Sequence, residues 1–412
     1  MYSIVPISAV GTGLSVIVPL YILALHGSVL DVGFAVTLYN IVAIPSSLLW
    51  GKLTDRFGGK RHRLFVMSSI ISIFPVLLIV ELAYGPHIVE AAYGLYALVA
   101  TAASPSINIL VMGTKRSPSL PRFFSRYSIY SIVGSLLAMI PGLLIGRQIV
   151  VYLDILLAVN LAGLLLAWFT IKELKPSSVP KSKARRARML FPVFNMLSAL
   201  PNLLTSQKLI EDLHKVFDIR HRNLYVLLLA IAMLNGAMNL FNTSYIPYLE
   251  SFGLSYGSIF GINIVNTIAQ LSVYVALAYL VLRKMNLHRY YGVSVIARGF
   301  SYIFMSLPLL AAVGAFFYIN LAGYAIAGIA YAMWNITSSV LLFDHIRGRN
   351  AGYNIGIWLA VLGFSAVAGS LASGIISHEI GYAYTFISAS AITFISLMVF
   401  GVYHKNSYAG PS

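Results

Sequence analysis

Long apolar stretches alternate with short polar ones along the whole chain, and the alternation is on the scale of helices that cross a membrane. About twelve stretches approach the roughly 20 apolar residues that a bilayer-spanning helix needs. They fall at 3–25, 31–53, 64–85, 90–112, 127–147 and 151–171, then at 224–247, 255–282, 290–311, 314–342, 352–375 and 383–403. A polar, basic segment separates the two sets. The pattern predicts an all-α membrane protein of twelve transmembrane helices arranged as two six-helix bundles. Its parts are an N-terminal bundle over 1–172, a linker over 173–223, a C-terminal bundle over 224–404 and a tail over 405–412.

Composition agrees: 59% of the 412 residues are hydrophobic and 10% are charged, a balance outside the range of soluble globules. The basic residues set the orientation, because they collect in cytoplasmic loops. Five fall between Lys52 and Arg63, four between Lys115 and Arg126, and eleven between Lys172 and Arg222. Three more fall between Arg283 and Arg289, followed by Arg347, Arg349 and Lys405, which leaves only Arg147 and Arg298 elsewhere. Both termini are therefore expected on the cytoplasmic side of the cell membrane. The net charge of +16 suits an inner leaflet of anionic lipids and calls for no nucleic acid. The first span begins almost at Met1 without a basic leader, and Ala-Leu-His-Gly at 24–27 is a poor cleavage site, so it reads as a retained helix. The absence of cysteine removes disulfides, thiolate metal sites and cysteine nucleophiles.

Where the second span reaches its basic loop, the chain reads Gly51-Lys-Leu-Thr-Asp55-Arg56-Phe-Gly58-Gly-Lys60-Arg61. Asp55 stands at the C-terminal end of its helix, where the macrodipole disfavours a carboxylate. It therefore needs a positive partner, from Arg56, Lys60, Arg61 or the N-terminus of the eleventh helix near Asn350. The pattern resembles the signature of the major facilitator superfamily between its second and third helices. That resemblance implies a secondary transporter in which Asp55 helps latch the halves on the cytoplasmic side in the outward-open state, with Gly51 and Gly58 allowing close packing and a tight turn. There are departures. The fourth helix lacks the arginine or acid of many members and ends at Lys115-Arg116, and Gly134, Pro141-Gly142 and Gly146 only loosely resemble the drug-antiporter pattern. Shifting the chain by 226 places Gly27 on Gly253, Asn40 on Asn266 and Arg63 on Arg289, an internal repeat that loses the acid of the motif.

An unpaired amide costs several kcal/mol in hydrocarbon, so polar residues at helical spacing must face protein or water. Asn235, Asn239 and Asn242 share a face of the seventh span, with Tyr245 beyond them. Asn263, Asn266 and Gln270 share a face of the eighth, and Tyr331, Trp334, Asn335 and Ser338 of the tenth. In the first half, Asn40, Thr101, Ser104 and Asn108, with Thr12, Ser15 and Tyr21, are the corresponding polar positions. The resemblance implies that the first, fourth, seventh and tenth helices line a central cavity, flanked by the second, fifth, eighth and eleventh. The competing reading is that these side chains merely join helices. Aromatic residues at 331, 334 and 358 suit a flat or apolar solute, or an interfacial anchor.

None of the twelve acids falls at mid-membrane, where a proton-coupled carrier keeps its buried carboxylate. Asp31, Glu81 and Asp154 are the coupling candidates, all near outer ends. Facilitated diffusion, or coupling through the charge of the solute, gains weight. Arg298 is about 12 Å inside its span at 1.5 Å per residue, and is expected to snorkel or to make a structural pair. In the linker, basic residues from Lys181 to Arg188 precede an apolar helical face through Leu209, Leu213 and Phe217, suited to the inner membrane surface.

The expected function is transport of a small organic solute by alternating access, by a monomer without cofactor or metal. A drug or metabolite exporter driven by proton antiport is the alternative within transport, and a non-transporting sensor with the same fold is the alternative outside it. An enzyme is not expected. The chain has no His-Glu metal spacing, nucleophile elbow or phosphate loop, and His26, His87 and His378 lie near span ends where solvated loops account for them.

Overall fold

A computed structural model describes residues 4–57, 62–103, 120–144, 146, 148–171, 222–280, 286–309, 315–346 and 351–408. Among the described residues there are twelve α-helices and no strand. They are α1 (Ile4–Ala24), α2 (Val29–Phe57), α3 (His62–Glu81), α4 (Pro86–Ala100), α5 (Leu120–Gly142) and α6 (Ile149–Thr170). The second set is α7 (Arg222–Ser251), α8 (Tyr256–Leu280), α9 (Leu287–Ser306), α10 (Phe316–Ile346), α11 (Ala351–Glu379) and α12 (Tyr382–Tyr408). Eight of the twelve carry a window long and apolar enough to cross a membrane, and α3 and α5 carry shorter ones. The basic linker and the Gly58 to Arg61 part of the motif lie outside the described residues.

The helix ends beside the short turns, from 25–28 to 380–381, share one apolar core and form one end of the bundle, here the short-turn end. The opposite helix ends, here the basic-loop end, lead to the basic segments of the sequence, which lie in large part outside the described residues. Two of the turns show how helices stop here. His26, at φ 64°, occupies the left-handed position that glycine usually takes, and Gly27 N–H and His26 N–H return to the carbonyls of Ile22 and Leu23 at 2.9 and 3.1 Å. After α7 the same fold-back uses Gly253 at φ 75°. Each turn then hands over to a serine: Ser28 caps α2, receiving Asp31 N–H and giving its own N–H to the Asp31 carboxylate at 2.6 Å, while Ser255 caps α8 through Ser258 N–H at 3.2 Å. His26 therefore corresponds to Gly253 and Ser28 to Ser255. This corrects the repeat by one residue, because Gly27 and Gly253 occupy different positions of the turn, and Asn40 then corresponds to Thr267 rather than to Asn266.

Two seams join the halves. Along α2 and α11, Gly33 and Gly374 touch backbone to backbone: a Cβ on Gly33 would lie 2.7 Å from Gly374 Cα. One turn on, Thr37 and Ser370 hydroxyls bond at 3.0 Å. Along α5 and α8, a Cβ on Gly257 would lie 2.9 Å from the Leu143 carbonyl, and Thr267 donates to Met139 Sδ at 3.6 Å. The largest apolar core runs across both halves at the short-turn end, through residues such as Leu14, Ile17, Tyr152, Phe241, Tyr248 and Phe260. Toward the basic-loop end it divides. One cluster stays in the N-terminal half around Val66 and Ile70, another in the C-terminal half around Ile231 and Val295, and a third bridges α5 to α8 and α10 through Ile132, Tyr274 and Ile336.

Candidate functional site

A cavity of about 170 Å³ lies in the C-terminal half, lined by Asn242 of α7, Asn266 and Gln270 of α8, Arg298 of α9, and Tyr324 and Tyr331 of α10. Its walls are held by close helix contact. Gly328 lets α10 approach α8, since a Cβ there would lie 2.5 Å from the Asn266 carbonyl oxygen. At that separation Asn266 Nδ2 donates to the Tyr324 carbonyl at 2.6 Å, and Gln270 Nε2 donates to Asn266 Oδ1 at 2.6 Å. Which atom of each amide is nitrogen follows from this network. Both side chains line the cavity, and their bonds fix the amide pair as a polar part of its wall. Asn242 is exposed to the cavity, a turn beyond Asn239.

Arg298 differs most from its sequence reading. Its side chain is 4% exposed and turns into the protein, where Nε donates to Tyr302 Oη at 2.8 Å and Nη1 to the Ala327 carbonyl at 2.5 Å. The guanidinium carbon lies 5.2 Å from the centre of the Tyr302 ring. Snorkelling is ruled out by this burial. Because α9 begins at Leu287 rather than at 290, Arg298 is also deeper than expected, about 17 Å from the helix start. No carboxylate forms an ion pair with it among the described residues.

On the short-turn side the cavity meets an aromatic layer. Phe241 and Tyr302 stack at 4.3 Å, Tyr245 and Tyr324 lie 4.4 Å apart, and Phe241 and Phe386 4.6 Å apart. The buried Tyr245 hydroxyl points to the Asn320 carbonyl at 3.5 Å.

Of the residues singled out from sequence, Asn242, Asn266, Gln270 and Tyr331 come together at this cavity. Tyr331 also lies against Trp334 at 5.9 Å, and Asn335 reaches the Tyr331 hydroxyl at 3.5 Å. The others are placed differently. Asn235 Nδ2 donates to the Leu362 carbonyl and to Ser365 Oγ, both at 2.9 Å, which joins α7 to α11. Asn239 donates to the Asn235 carbonyl and packs beside Gly369 of α11, and Asn263 donates to its own helix at Ile259. Thr101 bonds back to Ala97 and Leu98 just past α4, and Asn40 is half-buried on α2. Thr12 meets Ser135 at 2.7 Å, Ser15 bonds to its own helix, and Tyr21 reaches the Ala83 carbonyl at 3.1 Å. Asn108 and Ser104 lie outside the described residues, as do Gly58, Lys60 and Arg61, while Gly51, Asp55 and Arg56 sit on the last two turns of α2.

The coupling candidates also separate. Asp31 is engaged in the cap of α2, and its carboxylate lies within 4.8 Å of ligand atoms of His87 and Glu90, which pair with each other at 3.0 Å. Asp154 is exposed on α6. Glu81, at the end of α3, keeps one carboxylate oxygen buried without a hydrogen bond among the described residues. Tyr324 was missed from sequence, although it lies seven residues before Tyr331 on the same face of α10.

The Major Facilitator Superfamily profile matches residues 3–354. Among solved structures, the nucleoside transporter NupG superposes with a TM-score of 0.68 at 14% identity, covering 98% of this chain and 97% of its own. A mutant form of NupG gives the same score and identity over 98% of each chain. At that identity the likeness shows the fold, two six-helix halves. No curated protein is similar to the chain in sequence. With most of its length matched by the family profile and its fold that of a solved transporter, the chain belongs to the Major Facilitator Superfamily, a family of secondary transporters.

Proposed function

We propose that the solute is bound in the cavity between α7, α8, α9 and α10, and that it is carried by rocking of the two halves along the α2–α11 and α5–α8 seams. One observation carries this reading: six polar or aromatic side chains from four helices converge on a space of about 170 Å³ inside an otherwise apolar bundle. Helix joining alone does not call for such a space, as Asn235 illustrates by donating directly to α11. The positive-inside rule supports a cytoplasmic basic-loop end, with both termini there and the linker along the inner leaflet. Asp55 and its basic neighbours then latch that end when the other opens, and no nucleic-acid partner or second subunit is invoked. Of the coupling candidates, Glu81 is the best supported, because Asp31 is committed to its helix cap and Asp154 is exposed, whereas Glu81 keeps a carboxylate oxygen buried and without a hydrogen bond among the described residues.

A nucleoside is the second solute reading, favoured by the amide edge of Asn266 and Gln270 beside Tyr324 and Tyr331, groups suited to a flat, hydrogen-bonding ring. The site itself is tested with Asn242→Cys, a unique thiol in a chain without cysteine. An impermeant thiol reagent should label it from either side of the membrane in turn. Absence of labelling from both sides would show that the cavity is not on the transport path.

A further inference from the structure

We propose that the solute carries a carboxylate, and that the Arg298 guanidinium is the group that receives it. This rests on the cavity being the solute site. Arg298 stands about 17 Å along α9, about midway along a helix of 20 residues, and its side chain is buried, where a charge without compensation is strongly disfavoured. Its protein partners are neutral: one tyrosine hydroxyl, one backbone carbonyl and one aromatic ring. Of the described acids, Asp31, Glu81, Glu90, Asp154, Glu250 and Glu379 belong to the short-turn end of the bundle, while Asp55 and Asp344 stand near the basic-loop ends of α2 and α10. Asp344 follows Ala327, the Arg298 contact on α10, by about 26 Å of helix at 1.5 Å per residue. A guanidinium has five N–H donors, the two hydrogen bonds it makes among the described residues use Nε and one Nη1 N–H, and Arg298 lines the cavity.

The rest of the lining completes an anion site. Asn266 and Gln270 are tied to each other and to Tyr324, while the Asn242 amide and the Tyr324 and Tyr331 hydroxyls can donate into the same space. One positive charge matches a monoanion. A phosphoryl group, with a charge of about −1.5 to −2 at neutral pH, would leave excess negative charge in a low-dielectric site. A planar guanidinium also pairs edge to edge with a planar carboxylate, and the neighbouring tyrosine rings suit a flat apolar body. Benzoate is therefore the probe, with benzamide as its neutral counterpart of the same shape and uridine for the nucleoside reading.

The test uses the full chain purified in detergent. Thermal unfolding is followed in sodium benzoate, in sodium chloride, and in sodium chloride with benzamide or uridine, all at equal sodium. Benzoate should raise the Tm of the natural sequence in a concentration-dependent way, as any ligand of the folded state alone does, and benzamide should not. Arg298→Gln should abolish the response, and Arg298→Lys, which keeps the charge but loses the planar fork, should retain part of it. The location is read on Asn242→Cys, whose labelling benzoate at about ten times its Kd should slow about tenfold, and not at all when Arg298→Gln is added. Absence of any benzoate response in the natural sequence overturns the proposal. So does a benzoate response that survives Arg298→Gln, or an equal response to benzamide or uridine. In those cases the cavity remains the solute site if a neutral ligand protects the thiol of Asn242→Cys. If no reagent reaches that thiol, the site and the carboxylate are removed together. Arg298→Lys also guards against misfolding of Arg298→Gln: loss of the response in a folded Arg298→Lys protein, equal to that in Arg298→Gln, counts against a charge-based site.

Discussion

Asn235 and Asn242 stand seven residues apart on one face of α7 and do different work. Asn235 spends its amide on the Leu362 carbonyl and the Ser365 hydroxyl of α11, whereas Asn242 opens on the cavity. Asn235→Ala should therefore lower stability by about 1 kcal/mol, the scale of an interhelical hydrogen bond in a membrane protein. Thermal unfolding should register that loss while the affinity for a cavity ligand stays unchanged. Asn242→Ala should do the reverse. The stripe itself was legible, because polar residues at helical spacing in an apolar span stand out. Which member faces a neighbouring helix and which faces open space depends on the position of α11, and no local pattern in α7 encodes that. Of the two expectations for Arg298, structural partners are found in Tyr302 and Ala327, and the snorkel fails for a related reason. Its carbonyl partner belongs to Ala327, twenty-nine residues along the chain, and three residues of error in the start of α9 moved it toward the membrane surface.

At the scale of helices, the seams explain why small residues recur where the halves meet. Gly33 and Gly374 bring α2 and α11 into backbone contact, and Thr37 and Ser370 add a hydroxyl bond one turn away. A side chain on Gly33 has no space, so Gly33→Val should push these helix ends apart. The expected result is a several-fold faster labelling of Asn242→Cys by reagent added on the short-turn side; an unchanged rate would mean that the seam does not control access. Helix number and order were readable from the alternation of apolar and polar stretches, although among the described residues only eight of the twelve helices carry a full-length apolar window and α4 ends at Ala100, short of the expected 112. The repeat was readable to within one residue and no better, since letter matching aligned Gly27 with Gly253, whereas the left-handed residue of the turn is His26 in one half and Gly253 in the other.

For the molecule as a whole, the core is continuous across both halves at the short-turn end, whereas toward the basic loops two clusters stay within one half each and a third bridges α5 to α8 and α10. On the proposed rocking mechanism, a closed short-turn end is one of the two states a carrier needs. The 6+6 layout and the family were legible from the span pattern and from the motif ending in Lys60-Arg61. The state was not, because it depends on contacts between halves that the sequence does not rank. Asp55 belongs to this scale: if it latches the basic-loop end in the opposite state, as proposed, Asp55→Ala should leave insertion intact and shift the population toward the state with a closed short-turn end. The direct measurement places spin labels on Tyr84→Cys and Tyr318→Cys, positions 90% and 69% exposed at the short-turn end of opposite halves, and records their distance distribution by electron–electron double resonance in lipid. Alternating access predicts two distances, the shorter matching the sealed end described above and the longer depleted by Asp55→Ala. A single distance, the same with and without that substitution, would contradict it.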